Sequence, residues 1–251
     1  MKAILWTFAV TVCCSFFTQA QTTSTTAENY SLWPKRPDQL ITAKKLMEEG
    51  KDQEALALLD DIFINKGVGL REAQELIGQI RVREELNPRT KNKIVYTVKR
   101  GDAWFGIAKK QKCQMDMIMY LNQMMDLGAL QIGQKLIIHP MDLKIVIRPK
   151  QQQLFLFRGD TLIKAYPIVA MKDAGGKNVE TTIKSEYANI SLYAPEYPSA
   201  DKALKLAAGN MLIDIADGRT PQTGMYLLSK ADCNEVALLT HPGNIVEIIR
   251  E

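Results

Sequence analysis

Tyr96-Thr97-Val98-Lys99-Arg100-Gly101-Asp102-Ala103-Trp104-Phe105-Gly106-Ile107-Ala108 opens with β-type residues and closes on an apolar pair at helical spacing. Val95 to Val98 reads as a strand, and Gly101-Asp102 as a turn whose aspartate can cap a helix starting near Trp104. Ile107-Ala108 then faces inward. Further on come Leu121-Asn122 and Leu130-Gln131-Ile132-Gly133-Gln134-Lys135-Leu136-Ile137-Ile138, where Gly133 turns the chain into a final strand, Lys135 to Ile138.

Taken together, these spaced segments resemble a LysM module over 94–140, with the order strand, helix, helix, strand. The resemblance implies binding of N-acetylglucosamine in glycan chains such as those of peptidoglycan. It also implies a groove between two loops, Gly101 to Trp104 and Met125 to Leu130. The glycan-binding residues carried over are Gly101, Asp102, Ala103, Trp104, Leu127, Gly128, Ala129 and Leu130. Ala103 stands where the family commonly has Ser or Thr, which removes a hydroxyl that could cap the helix or touch ligand. Trp104 is either a platform for a sugar face or an ordinary core aromatic. The methionines at 115, 117, 119, 124 and 125 read as adaptable core filler.

Upstream, apolar residues recur at three- and four-residue steps in three runs: Leu40, Ala43, Leu46 and Met47; Ala55, Leu58, Leu59 and Ile62; Ala73, Leu76, Ile77 and Ile80. Gly50 and Gly67-Val68-Gly69 separate them, giving a three-helix element over 38–87. Its first two helices resemble one tetratricopeptide-type hairpin. A single such unit cannot bury its own apolar face, so it is expected to pack on a neighbour or to dock an envelope protein.

Residues 1–20 read as an export signal cleaved after Ala20: Lys2 supplies the charge, Ala3 to Phe17 the apolar stretch, and Thr18-Gln19-Ala20 the small-residue cleavage context. An uncleaved anchor is the alternative. Cys13 and Cys14 lack the small preceding residue that lipidation favours. The polar segment 21–37 is a linker.

Downstream, over 142–251, Leu143 to Ile147, Leu154 to Phe157 and Thr161 to Val169 are β-type runs broken at Pro149-Lys150-Gln151 and Arg158-Gly159-Asp160. Gln153-Leu154-Phe155-Leu156-Phe157, Leu162-Ile163-Lys164-Ala165-Tyr166-Pro167-Ile168 and Gly224-Met225-Tyr226-Leu227-Leu228-Ser229 resemble an L,D-transpeptidase of the YkuD-like type. Asn234 to Thr240 fits that family's helix, His241-Pro242-Gly243 its turn and Ile245 to Ile249 its closing strand. The family's motif runs Ser-His-Gly-Cys-Ile-Arg-Leu-Ser. On it, Met225 falls on the nucleophilic cysteine, Leu227 on the arginine, and Asp214 is nearest to the upstream base. A thioether has no proton to lose, and leucine offers no guanidinium to a carboxylate or oxyanion. The resemblance therefore implies a degenerate domain with no catalytic residues, Met225, Leu227 and Asp214 being vestigial positions.

The fold class expected is α+β multidomain: the helical element, a βααβ LysM module and a mainly-β L,D-transpeptidase-like domain. The function expected is that of an exported bacterial cell-wall-binding protein of the periplasm or envelope. Its partners would be peptidoglycan glycan strands, with stem peptide and an envelope protein as further candidates. Two alternatives remain open. One is an active transpeptidase using Cys233 as a displaced nucleophile, although that residue shares a helix face with Val236, Ala237 and Thr240; the other is a scaffold built on the helices. The 251 residues carry a formal charge of +4 with scattered basic residues, which does not suggest a nucleic-acid partner. No metal-ligand spacing or phosphate-binding glycine loop is evident, so no cofactor is expected. Cys113 and Cys233 can be paired or free.

Overall fold

The computed structural model describes residues 38–191, 194, 196–197 and 200–250. The residues read as an export signal and its cleavage point, Cys13, Cys14 and the segment read as a linker lie outside the described residues. Three helices come first, α1 (Asp38–Glu48), α2 (Asp52–Ile64) and α3 (Leu70–Leu86). Gly50, at φ +74°, ends α1 in a left-handed turn, where the Lys51 N–H donates to the Leu46 carbonyl at 2.8 Å. The buried stripes Leu40 and Ala43, Ala55 and Leu59, and Ala73, Ile77 and Ile80 form one core with Val146, Phe155, Leu162 and Ala165 of the following sheet. The apolar face that one hairpin cannot cover by itself is thus covered by strands. Gly78 permits the approach: a Cβ there would lie 2.8 Å from Lys164 Cγ and 3.0 Å from its Cδ.

Next come β1 (Ile94–Thr97), α4 (Trp104–Lys110), α5 (Met115–Leu121) and β2 (Lys135–Ile138), with β1 antiparallel to β2 and Thr97 opposite Lys135. This is the expected βααβ order. Val98, Trp104, Ile107, Ala108, Ile118, Met119, Leu136 and Ile138 form its own core. Met117 and Leu121, on the other side of α5, belong instead to the core of the large sheet. The helix therefore serves two cores at once.

The large sheet is built from β3 (Lys144–Arg148), β4 (Gln153–Arg158), β5 (Thr161–Pro167), β6 (Ala170–Lys172), β7 (Val179–Ala188), β8 (Lys202–Leu206), β9 (Leu212–Ile215), β10 (Met225–Leu228) and β11 (Ile245–Ile248), with α6 (Lys230–Leu239) between the last two. Its nine strands run in the order β5-β4-β3-β11-β7-β8-β9-β10-β6. The β3–β11 and β9–β10 pairs are parallel and the others antiparallel. Both faces of β3 and β4 are covered: Ile145, Ile147, Leu154 and Leu156 point into the α6 side, Val146 and Phe155 toward α1–α3. That explains the unbroken apolar run Ile145-Val146-Ile147, which a half-exposed strand would not show. The described residues are an α+β assembly of helices, a βααβ module and a curled, mainly-β sheet.

Several elements differ from the sequence reading. The run Thr161 to Val169 is interrupted after Pro167, where Val169 N–H donates to the Leu227 carbonyl at 2.8 Å and the chain passes to the opposite edge of the sheet. The final helix starts at Lys230 rather than Asn234, because the Ser229 hydroxyl oxygen accepts the Asp232 N–H at 3.1 Å as an N-cap. Asp102 does not cap α4. Its carboxylate turns back to accept the Lys99 N–H at 2.7 Å and the Tyr96 hydroxyl at 2.8 Å, leaving Ala103 as an N-cap without a side-chain bond.

The elements are bound together by a buried ion cluster. Arg158 of β4 donates to Glu85 of α3 at 2.5 and 2.8 Å, and His139, just after β2, bonds the same carboxylate. Burial opposes the Glu85 charge, but the hydrogen bonds from His139 and Arg158 outweigh it and hold its pKa at about 2.

Candidate functional site

Two regions contain the residues singled out by sequence. The first is a groove of about 390 Å³ between the turn before α4 and the loop before β2, lined by Asp102, Ala103, Trp104, Phe105, Met115 and 127–130. Seven of the eight glycan-binding candidates (all but Gly101) line this one groove. Gly101, at φ +86°, shapes the turn beneath it.

Trp104 is 9% exposed and packs into the module's core. Its indole N–H donates to the Gly128 carbonyl at 2.8 Å, so the ring ties one groove wall to the other. The neighbouring Phe105 is 66% exposed on the groove and offers the open aromatic surface. Sequence reasoning passed over Phe105 and treated Met115 only as filler; an aromatic lying off the buried stripe of Trp104, Ile107 and Ala108 was the signal that could have found the phenylalanine. Asp102 carries a lowered pKa because it accepts the Lys99 backbone N–H and the Tyr96 hydroxyl. These bonds fix the turn.

The second region surrounds Met225, Leu227 and Asp214. On the parallel pair β9–β10, Met225 lies opposite Leu212 and Leu227 opposite Asp214. Met225 is at the edge of a shallow cavity of about 560 Å³ with Leu212, Asn210 and Gln222. An adjoining cavity of about 490 Å³ shares those last three residues and reaches Asp214 and Lys205. Leu227 is fully buried and lines neither cavity. The structure thus places Met225 and Asp214 in two adjoining cavities and buries Leu227 out of both. Asp214 is ion-paired with Arg219, a residue the sequence reading did not single out, and Arg219 Nε lies 3.2 Å from Asp217. The Met225 sulfur accepts the Gln222 N–H at 3.3 Å.

Cys233, the alternative nucleophile, is fully buried in α6, and its thiol donates to the Lys202 carbonyl at 3.2 Å. Burial, with the negative charges of Asp214, Asp201 and Asp232, pushes its pKa up to about 12. Burial alone does the same to Cys113. Both thiols are free. His241 bonds its own turn, its N–H donating to Asn244 Oδ1 at 2.7 Å. His139 is engaged in the Glu85 cluster. Among the described residues no group of His, Cys, Asp and Glu could hold a metal ion, and no helix is long and apolar enough to cross a membrane.

Residues 96–139 match the LysM domain family, so the chain carries a LysM domain. No curated protein matches. Similar solved structures include L,D-transpeptidase 1 of Mycobacterium tuberculosis, with a TM-score of 0.34 and 11% identity over 47% of this chain and 67% of that one. The L,D-transpeptidase of Mycobacterium smegmatis follows at 0.33 and 13%, over 47% of this chain and 64% of that one. That of Enterococcus faecium, at 0.33 and 12%, covers 70% of this chain and 82% of that one. Likenesses of this size say nothing about a site or an activity.

Proposed function

We propose that this protein is an exported cell-wall-binding protein whose LysM domain holds peptidoglycan through N-acetylglucosamine units. The observation that carries the reading is the groove itself: the family match coincides with a concave site whose walls are tied by the Trp104–Gly128 bond and flanked by the exposed Phe105. Backbone groups of 127–130 can pair with N-acetyl groups, while the phenylalanine covers an apolar sugar face.

In this reading the C-terminal sheet domain is a catalytically inactive relative of L,D-transpeptidases. Met225 has no ionisable proton, and Asp214 is already engaged by Arg219. Cys233 supports no displaced site, since its thiol is buried and held protonated. The shallow cleft at Met225 is a candidate stem-peptide site without acyl chemistry. The three-helix element spends its apolar stripe on the sheet, which favours a structural role over partner docking.

The test is sedimentation of the full chain with purified sacculi, competed by chitin oligosaccharides. Phe105→Ala, at an exposed position, should leave folding intact and weaken binding about tenfold, the equivalent of ~1.4 kcal/mol. Sedimentation unaffected by the oligosaccharides and by Phe105→Ala together would remove the glycan reading.

A further inference from the structure

Where α5 of the LysM domain meets β7 and β8 of the sheet domain lies a group of ionisable side chains that neither the groove nor the cleft uses. Lys202 of β8, only 3% exposed, lies with its Nζ 3.1 Å from Asp116 Oδ2 of α5. That ammonium also donates to the Tyr197 carbonyl at 2.7 Å and sits 3.7 Å from the centre of the Tyr197 ring. The Tyr197 hydroxyl donates to Glu186 Oε1 of β7 at 3.4 Å. The second oxygens of both acids, Asp116 Oδ1 and Glu186 Oε2, are buried without a hydrogen-bond partner. The one ammonium thus pairs with Asp116, Glu186 meets it only by way of Tyr197, and two oxygens are left unsatisfied.

Such an arrangement favours retention of a proton. A buried carboxylate without a cation of its own is costly, and two acids near one site do not ionise together easily. Burial first, then the Asp116 charge, raises the pKa of Glu186 to about 8. Asp116 is raised too, again chiefly by burial. The remaining neighbours do not supply the missing charge. From α6, the Cys233 thiol donates to the Lys202 carbonyl and Asn234 Oδ1 accepts the Lys202 N–H at 2.9 Å. Glu235 of the same helix is held by Lys164 at 2.6 Å, and Asp201 by Lys230 at 2.7 Å. Burial holds the Tyr197 phenol well above its ordinary value, so it stays neutral. A cavity of about 510 Å³, lined by Asp116, Lys202, Met119, Met124, Met125 and Leu238 among others, opens beside the group and gives water a way to its edge.

We propose that Glu186, with no cation of its own, keeps its proton beside the Asp116–Lys202 pair, and that this proton latches the LysM domain to the sheet domain. Its release to solvent leaves Glu186 charged beside that pair, and α5 loosens from β7 and β8. The direction follows from linkage. A carboxyl whose folded pKa is raised contributes stability that is complete below its unfolded value near 4.5 and is lost as pH rises through about 8.

The test is hydrogen exchange of the full chain, followed by mass spectrometry at pH 6 and pH 9 and corrected for intrinsic exchange rates. Amides of Met115–Leu121 should lose protection about tenfold at the higher pH, while those of Lys144–Arg148 keep theirs. Glu186→Gln removes the titration and should hold the α5 amides equally protected at both values. Asp116→Asn should flatten the profile in the same way, and serves if the first variant folds poorly. Unchanged α5 protection in the parent protein overturns the latch. So does equal loss at Lys144–Arg148, or a glutamine variant that follows the parent.

Discussion

Trp104→Phe separates the two roles an aromatic can play at the groove. The substitution keeps a ring in the core but deletes the indole N–H that donates to the Gly128 carbonyl at 2.8 Å. Loss of one neutral hydrogen bond costs ~1 kcal/mol net. The smaller ring leaves a residual cavity at a position only 9% exposed, for roughly 1 kcal/mol more. A total near ~2 kcal/mol should lower the melting temperature by about 4–8 °C. Affinity should fall as well, because the loop carrying 127–130 must then be ordered by the ligand. At ~0.5–1.4 kcal/mol that ordering weakens chitin-oligosaccharide binding about twofold to tenfold. Thermal denaturation and isothermal titration calorimetry on the full chain read the two quantities separately. A variant that melts lower yet binds as tightly as the parent refutes the idea that the indole tie preorganises the groove.

Glu85→Gln should make the protein less stable at neutral pH and flatten its acid limb. The native carboxyl, held at about 2 against an ordinary 4.5, contributes stability above 4.5 that is lost as pH falls through about 2. That is worth about 3 kcal/mol, measurable by denaturant titration at several pH values. Cys113 and Cys233 should be silent toward a thiol reagent in the native protein at pH 8 and both react in denaturant. With pKa values of about 12, only ~1 in 10,000 of each is thiolate. Met225→Cys should produce neither turnover on tetrapeptide substrate nor a carbapenem adduct by mass spectrometry, since Asp214, the candidate base, is ion-paired with Arg219. A stoichiometric adduct on Cys233 of the parent protein would contradict its burial.

Much of the architecture was legible because its signals are local. Leu40, Ala43, Leu46 and Met47 announce a helix by spacing alone, and Lys135 to Ile138 is a strand at the bounds its pattern suggests. The groove lining came instead from the resemblance of 94–140 to a LysM module, not from spacing. What escaped was set by side-chain pairing, near and far, that no periodicity encodes. Asp102 could cap a helix as well as close a turn, and only the position of Lys99 and Tyr96 decides for the turn. Arg219 comes from a loop with no periodicity, and its pairing with Asp214 depends on how the chain folds back after β9. Glu85, Arg158 and His139 lie far apart in sequence, so their convergence is invisible until α3, β4 and the end of β2 are placed.

The double allegiance of α5 bears on how this chain could be rebuilt. A LysM domain transplanted from another protein would bring its own groove and its own inner core, satisfied by counterparts of Ile118 and Met119. Unless it also presented apolar side chains at the places of Met117 and Leu121, the graft would uncover the foundation of the neighbouring sheet. The outward side of that short helix is thus a mating surface, and only a donor whose second helix is greasy on both sides would splice in without unseating the rest.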